Sequence, residues 1–350
     1  MRILVDINHP HHVHLFRNAI QIWRNRGDEV LITAREKDIT TRLLDLYGLN
    51  YQLTGRQRIP SSGNFVLGVV ESDIAVFRAA KGFNPDFLIG TSFAVAHVSK
   101  LVRGQSMVFG EDDVNTSRLF WFITIPFADY IVTPDTLGED FGKKHITYPG
   151  WHELAYLHPN HFTPNPNVLI EQGMEIDEPF CIVRFVSLRA SHDVGERGLS
   201  EETKDKLIDI MLEKGRVIIS SEEKPPTKYS EFQLRVSPDK LHHLLAFAQL
   251  LVSDSQTMTI EAAVLGTPSI RCNTFVGRTP VIEELEKKYE LTFGFSPDNE
   301  KAMLRKTKEI LASPISQQPW KIRQKHLLDE KIDLTSWMVE LLEKAGKGEL

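Results

Sequence analysis

Four histidines within six positions are the first side chains in this chain that could do acid–base chemistry. His9, His11, His12 and His14 follow a short apolar segment at residues 3–5, which is typical of a strand. A histidine titrates near neutral pH, so one that faces a ligand can take a proton from a hydroxyl group. We predict His12 or His14 as a general base, and interpret His9 and His11 as loop or helix-start residues.

The same histidine run raises the alternative of a metal site. A structural or catalytic metal needs three or four ligands, which usually recur at recognisable spacings. No downstream cluster of Cys, His or Asp has convincing ligand spacing. The sequence therefore predicts no metal and no other cofactor.

Residues 251–268 carry the features of an anion site. An apolar strand ends at Ser253, small polar residues form a turn, and a helix begins near Thr257 and ends at Gly266. Free N–H groups and the positive end of the dipole at a helix N-terminus suit a diphosphate. Glu261 lies one turn further on, where it can accept hydrogen bonds from a ribose. The predicted binding residues are Ser253, Ser255, Gln256, Thr257 and Glu261; the alternative is a capped helix with a solvated glutamate.

A group of charged residues follows the first apolar strand of the second half. Arg184 and Arg189 suit bidentate contact with a diphosphate, and His192 and Asp193 lie close behind. A cation at this place would stabilise the charge of a departing nucleoside diphosphate. A structural Arg–Asp pair is the competing interpretation.

Alternating strands and helices must position these residues. Both halves of the chain show apolar β-rich segments separated by helical periodicity, which predicts right-handed βαβ units and mostly parallel sheets. We predict an α/β protein with two Rossmann-like doubly wound domains facing a cleft, since 350 residues suit two domains. The predicted parts are an N-terminal domain at 1–158, a Pro- and Asn-rich linker at 159–178, a C-terminal domain at 179–319, and a C-terminal helix at 320–350 that packs back on the N-terminal domain.

Composition narrows the class of protein. Hydrophobic residues make up 41% and charged residues 25%, and the net charge of −6 comes without a basic stripe, so no nucleic-acid partner is expected. Cys181 and Cys272 fall in apolar segments, which favours structural thiols in a reducing compartment. No signal-peptide pattern and no apolar run of ~20 residues is seen. We expect a cytoplasmic protein and leave a peripheral membrane contact open.

The turn and helix at 253–268 resemble the nucleotide-binding signature of the non-hydrolysing UDP-N-acetylglucosamine 2-epimerases. Their Ser-Asp-Ser-Gly-Gly turn and Glu-Ala pair match Ser255 and Glu261-Ala262, with Gln256 and Thr257 in place of the two glycines. The resemblance implies that the turn binds the diphosphate and Glu261 binds the ribose. Residues 237–245 resemble the segment that flanks the base in that family.

Taken end to end, the chain resembles an uncharacterised prokaryotic family with a glycosyltransferase-B-like fold, through residues 6–7, 12–16, 32–35, 184–185 and 190–195. The loop with His12 and His14 resembles an acceptor-facing loop of the N-acetylglucosaminyltransferases of peptidoglycan synthesis. Glu111 aligns loosely with a catalytic glutamate of the epimerases, although a run of three acids is also typical of a solvated turn. Thr91-Ser92-Phe93 replaces their Gly-Asp-Thr, which argues against epimerase chemistry.

These resemblances imply a hexosyltransferase that uses a nucleoside-diphosphate sugar, with a UDP-sugar favoured and the acceptor unknown. His12 or His14 would be the base, Arg184 would offset leaving-group charge, and the lack of an isolated Asp-x-Asp fits a metal-independent enzyme. The alternatives are a nucleotide-sugar epimerase or hydrolase that uses Glu111 and His192, and a non-catalytic nucleotide-sugar binding protein. The sequence has no Gly-x-Gly-x-x-Gly after a strand and no Walker A motif, which argues against nicotinamide cofactors and ATP hydrolysis of that type.

Overall fold

A computed structural model describes residues 1–56, 65–112, 114, 117–185, 199–221, 226–312 and 318–350. The chain divides into two compact units. The first unit holds Met1–His161 and Ile332–Leu350, and the second holds Phe162–Lys331. Among the helices in the described ranges, none combines the length and the apolar character needed to cross a membrane.

A parallel sheet of seven strands forms the centre of the first unit, in the order β3-β2-β1-β4-β5-β6-β7. Its strands are β1 (Arg2–Ile7), β2 (Glu29–Glu36), β3 (Gln52–Arg56), β4 (Phe87–Gly90), β5 (Gln105–Phe109), β6 (Tyr130–Pro134) and β7 (His145–Tyr148). The strand order reverses direction between β1 and β4. In a doubly wound sheet, ligands bind outside the carboxyl ends of the strands at such a switch point.

The helices of the first unit cover its sheet and bury apolar faces against it. Before the second unit begins they are, in chain order, α1 (Pro10–Asn25), α2 (Thr40–Leu46), α3 (Phe65–Phe83), α4 (Phe93–Ser99), α5 (Arg118–Thr124) and α6 (Leu154–Leu157), and one more helix comes from the C-terminal end of the chain. The start of α1 is fixed by Pro10 in its first turn and by His9, whose side chain accepts the His11 N–H. Phe16, Ile20 and Trp23 recur at helical spacing and are buried.

The second unit is built on a smaller parallel sheet, in the order β12-β11-β10-β8-β9. Its strands are β8 (Phe180–Phe185), β9 (Arg216–Ser221), β10 (Leu250–Ser253), β11 (Ser269–Cys272) and β12 (Thr292–Phe295). Here the order reverses between β8 and β10, so this sheet also has a switch point.

One helix of the second unit follows β10 and is buried along nearly its whole length. The helices of this unit are α7 (Asn167–Gln172), α8 (Glu201–Leu212), α9 (Leu241–Leu245), α10 (Gln256–Leu265), α11 (Pro280–Lys287), α12 (Glu300–Ala312) and α13 (Gln318–Glu330). Ser255 caps the start of α10, and Gly266 ends it with a φ of 72°. A side chain at Gly266 would be strained by that φ and would also meet Gln324, so the helix ends at a glycine.

The predicted strands are all present, and the structure adds three that the pattern did not indicate, β3, β7 and β12. Each of the three lies at an edge of its sheet and pairs with one neighbour. An edge strand is less enclosed than a central one, so its sequence can be less apolar. This explains why Gln52–Arg56 and His145–Tyr148 lack the continuous apolar runs that mark the central strands.

The C-terminal tail forms two helices rather than one continuous helix. α13 packs on α10 within the second unit, where Gln324 and Lys321 donate to the carbonyls of Val264 and Leu265. The next helix, α14 (Leu334–Lys347), packs on α1 and α6 of the first unit, as predicted for the end of the chain. Asp333 separates the two helices and caps α14 by accepting the N–H of Ser336 at 3.0 Å.

Removing this cap should loosen α14 in a pH-dependent way. Burial acts to raise the pKa of Asp333, but hydrogen bonds from Ser336 and Asn160 and the nearby His161 lower it to about 2. Because the folded pKa lies below the unfolded one, the stabilisation is complete above about pH 4 and disappears as the pH falls toward 2. Asp333→Ala should cost about 1 kcal/mol near neutral pH, which makes α14 amides exchange roughly five times faster.

Hydrogen exchange of α14 measured by mass spectrometry near neutral pH would check the first part of this prediction. The urea midpoints of the native protein and Asp333→Ala should differ by a constant amount above about pH 4 and converge as the pH falls from about 4 to about 2. Asp329→Ala is the matched control, since Asp329 is exposed and pairs only with Lys325 one turn away among the contacts described. Equal exchange in the native protein and Asp333→Ala would contradict the capping role.

Candidate functional site

A fully buried carboxylate organises the switch point of the first sheet. Asp6, near the end of β1, accepts hydrogen bonds from Thr33 on β2 at 2.8 Å, from Asn8 at 2.9 Å and from Ser92 after β4 at 2.6 Å. A buried carboxylate is tolerated when donors replace its lost water. Asp6 therefore holds the loops after β1 and β4 in fixed positions.

His12 lies on the first turn of α1, beside the loop that follows β4. A ring nitrogen of His12 lies 2.9 Å from the hydroxyl of Thr91. Burial lowers the pKa of His12 well below its ordinary value, and the neighbouring His9 and His11 act in the same direction. His12 is thus neutral near pH 7 and can accept a proton.

His11, Glu111 and His152 come together although they lie far apart in the sequence. His11 lies at the start of α1, Glu111 follows β5, and His152 follows β7. One carboxylate oxygen of Glu111, Oε2, lies 3.2 Å from Nε2 of His11 and 2.9 Å from Nδ1 of His152. The loss of water around Glu111 acts to raise its pKa, but the two histidines outweigh this and hold it well below the usual range. The carboxylate is therefore ionised near neutral pH.

A cavity of about 210 Å³ opens next to these groups. Its polar lining comes from His12, Thr91, Glu111, Asp112, Ser117 and His152, and its apolar lining includes Phe109, Phe120 and Trp121. A concave site with a few converging polar groups and an apolar wall is typical of a small-molecule site. All of its lining residues belong to the first unit.

The other candidate base, His14, is placed differently. Its side chain is buried, stacks on Tyr156 at a ring distance of 5.1 Å and lies 3.4 Å from the hydroxyl of Tyr47. His14 is not among the residues that line the cavity. Of the two histidines predicted as a base, His12 lines the cavity together with Glu111, whereas His14 does not.

The predicted diphosphate turn lies at the switch point of the second sheet, between β10 and α10. Ser253 is fully buried and accepts the N–H of Ser255 at 2.8 Å. Ser255 caps α10 by accepting the N–H of Met258, and Gln256 accepts from Thr279 at 2.9 Å. The side chains at 255–257 are half-buried. The serine hydroxyls thus hold the turn by accepting the N–H groups of Ser255 and Met258.

Glu261 is buried inside the second unit rather than solvated. It is 5% exposed, and its Oε1 lies 2.9 Å from Nε2 of His242, which is 3% exposed. A buried charge without a partner is very costly, so this pairing fixes the direction of the Glu261 carboxylate. The alternative of a solvated glutamate is excluded by this burial.

Arg184 lies at the carboxyl end of β8, in register with Ser253 on β10. Its guanidinium donates to the hydroxyl of Ser220 on the other neighbouring strand at 2.9 Å. The structure thus brings Arg184 and the 253–257 turn together at the carboxyl ends of the strands. The other charged candidates, Arg189, His192 and Asp193, lie outside the described residues.

Three residues of these sites were not assigned roles from the sequence. Asp6 appeared only within the family resemblance, and His242 only within the segment said to flank the base. His152 lies four residues after the end of β7, where side chains of a parallel sheet can face a ligand, but this position could be recognised only once β7 was known. Its strand, β7, is one of the edge strands that the pattern did not indicate.

Solved structures with this fold cover almost the whole chain. UDP-N-acetylglucosamine 2-epimerase from Neisseria meningitidis, bound to UDP-N-acetylglucosamine, aligns with a TM-score of 0.67 at 11% identity, over 98% of this chain and 100% of that chain. The spinosyn forosaminyltransferase SpnP aligns with a TM-score of 0.68 at 14% identity, over 99% of each chain. Identity this low shows the fold alone. The prediction of two Rossmann-like domains of the glycosyltransferase-B type is confirmed.

Sequence comparison finds relatives without an assigned activity. The family model described as "Protein of unknown function (DUF354)" matches residues 1–279. An uncharacterised protein of Methanocaldococcus jannaschii, MJ0665, is 22% identical over 294 residues, which cover 77% of this chain and 81% of that protein. The suspected resemblance to an uncharacterised family is confirmed.

Replacing the Asp6 carboxylate should destabilise the first unit. In Asp6→Asn an amide would have to replace a carboxylate that accepts from three donors, and at least one buried donor would lose its acceptor. We expect a loss of about 2–3 kcal/mol in the free energy of unfolding, against about 1 kcal/mol for Thr33→Val, which removes one donor. Urea denaturation of both variants measures the difference; equal losses would show that Asp6 does not hold the two loops together.

Proposed function

Since the chain belongs to the DUF354 family, whose description names no activity, we propose from its own residues that it is a glycosyltransferase that takes a nucleoside-diphosphate sugar as donor. The observation that carries this proposal is the buried Glu261–His242 pair beneath the turn from β10 to α10. A carboxylate held by a histidine on a buried helix, next to a helix N-terminus at a switch point, suits a ribose beside a diphosphate.

The donor would bind to the second unit through groups with separate tasks. N–H groups at the start of α10 would bind the diphosphate, with Gln256 and Thr257 at the rim of the site. Glu261 would accept hydrogen bonds from the ribose hydroxyls, in the orientation that His242 gives it. Arg184 is in register with Ser253, where its charge would offset the charge that develops on the departing diphosphate.

The acceptor would bind in the cavity of the first unit. There, neutral His12 would take the proton of the attacking hydroxyl, since its lowered pKa leaves it unprotonated near pH 7. Thr91 lies beside this ring and would help to orient it. Aromatic side chains such as Phe120 and Trp121 supply an apolar wall for a sugar or another acceptor group.

Two further observations bear on the donor and the reaction. The epimerase of Neisseria meningitidis with the same fold is bound to UDP-N-acetylglucosamine, which supports a UDP-sugar as the donor.

The ionised Glu111 at the cavity favours a second candidate, a nucleotide-sugar epimerase or hydrolase with Glu111 as the acid–base group. Against this candidate, Ser92 stands in the Thr91-Ser92-Phe93 segment where those enzymes have a carboxylate, and its hydroxyl is used by Asp6.

Nucleotide binding should depend on the charge of Glu261. A nucleotide at 100 times its dissociation constant should stabilise the protein by ~2.7 kcal/mol, so a thermal-shift screen of UDP, GDP, CDP and dTDP will detect it. Glu261→Gln keeps the size of the side chain but removes the charge, and should weaken binding by about 10- to 100-fold in calorimetric titration. Glu309→Gln, an exposed glutamate on α12, is the control. If no nucleotide binds, or if Glu261→Gln binds normally, the proposed donor site is wrong.

Turnover without an acceptor separates the two candidate reactions. A transferase should consume little of the bound UDP-sugar when incubated alone, whereas an epimerase or hydrolase should convert it. Proton NMR of the sugar anomeric signals after incubation with protein records either change directly. His12→Gln should abolish transfer to an added acceptor, and Glu111→Gln should abolish acceptor-free conversion. Conversion without an acceptor that is lost in Glu111→Gln would replace the transferase proposal with the second candidate.

A further inference from the structure

We propose that His11, Glu111 and His152 bind one divalent transition-metal ion of the Zn²⁺ class, with an open coordination position that faces the cavity of the first unit. Each residue offers one ligand atom, and these atoms all lie within 4.8 Å of one another. The proposal concerns the first unit only and does not depend on the proposed glycosyltransferase activity.

The spacing of the three atoms fits a common metal ion. The distances from Oε2 of Glu111 to Nε2 of His11 and to Nδ1 of His152 are 3.2 and 2.9 Å. Ligands bound at about 2.0–2.2 Å in a tetrahedral arrangement lie a little over 3 Å apart. Small movements of the side chains would bring all three atoms to bonding distance of one ion.

The setting of His152 is a second observation beside the spacing. This residue is 1% exposed and its Nδ1 lies 2.9 Å from Oε2 of Glu111, but within the described part of the chain neither ring nitrogen makes a well-aligned hydrogen bond. Leaving a buried polar group unsatisfied costs about 1–3 kcal/mol. Coordination through Nδ1 would remove part of that cost, because the lone pair would then be used.

The two imidazoles are oriented by their contact with each other and by Tyr156, which touches His11. The rings of His11 and His152 stack with centroids 5.6 Å apart and planes 24° apart. Nδ1 of His11 lies 3.4 Å from the hydroxyl of Tyr156, on the side of the ring away from Glu111. Metal-binding histidines are commonly oriented by such a contact at the second ring nitrogen.

The chemical type of the three ligand atoms decides which metal ion fits the site. Two imidazoles and one carboxylate suit Zn²⁺ and related transition metals, whereas Mg²⁺ and Ca²⁺ prefer oxygen donors alone. Three protein ligands leave a further position open. Glu111 and His152 both line the cavity of about 210 Å³, which has room for several waters or for one oxygen-bearing substrate group, given ~30 Å³ per water. The fourth ligand would therefore be a water, hydroxyl or phosphate oxygen.

This inference departs from the sequence prediction of no metal. That prediction rested on the lack of a second ligand cluster at recognisable spacing. In the folded chain the ligands come singly from the start of α1 and from the segments after β5 and β7, so no short motif contains them. Because the strands of the sheet are parallel, their carboxyl ends lie on the same side of it, and the three segments meet there.

The test is a titration of the chelator-treated full-length protein with Co²⁺ and Zn²⁺. Co²⁺ bound by two histidines and a carboxylate gives visible d–d absorption, and elemental analysis after Zn²⁺ loading and gel filtration gives the stoichiometry. We expect one ion per chain and displacement of the Co²⁺ spectrum by Zn²⁺. His152→Asn and Glu111→Gln should each weaken Zn²⁺ binding by more than about 100-fold, since even outer contacts of a metal site contribute 10- to 100-fold.

Matched controls make the outcome decisive. His145→Gln removes another half-buried histidine of the first unit, which contacts Thr133 instead of the cluster, and should bind Co²⁺ as the native protein does. Circular dichroism of each variant shows whether it has folded. The proposal is overturned if the folded native protein gives no Co²⁺ spectrum, or if the spectrum persists unchanged in both His152→Asn and Glu111→Gln. Failure of nucleotide binding at Glu261 would leave this result unaffected, so the two proposals are tested separately.

Discussion

Parallel pairing of β1 with β4 and of β8 with β10 is the constraint on which both candidate sites depend. In each sheet these two strands flank the point where the strand order reverses, and the loops after them leave in opposite directions. The strands that flank each switch point are buried and apolar through the middle, and their polar residues lie toward their ends. Asp6, Thr91, Arg184 and Ser253 all lie at such ends.

The first unit shows how a buried polar side chain can support a site without taking part in it. The Asp6 carboxylate accepts hydrogen bonds from donors in three segments. These bonds fix the positions of the segments that carry His12 and Thr91. Glu111 is another carboxylate of this region, and it faces the cavity between two histidines. The Asp6 carboxylate is thus engaged within the fold, whereas the Glu111 carboxylate lines the cavity where a ligand would bind.

In the second unit, too, some polar groups hold the fold, and others would bind a ligand. Hydroxyls of Ser253 and Ser255 are engaged in holding the turn, so phosphate binding would fall to backbone N–H groups and the helix dipole. A turn with Gln256 and Thr257 in place of two glycines can still present N–H groups, since Ser255 sets the first turn of α10 in the usual capped form. Glu261 would be costly to bury alone, and its contact with His242 offsets part of that cost.

The sequence by itself determined the two α/β units, the central strands, and the turns after β1 and β10, because these depend on local apolar periodicity and on capping residues. It also identified His12, Glu111, Ser255 and Glu261 as candidates, although the distinction between His12 and His14 needed the cavity. Edge strands β3, β7 and β12 escaped prediction because a strand with one neighbour carries a weaker apolar signal. Only the tertiary structure decided that His11, Glu111 and His152 meet, and that Glu261 pairs with His242. Such contacts join residues far apart in the sequence, and they follow from strand order and register, which no local pattern encodes.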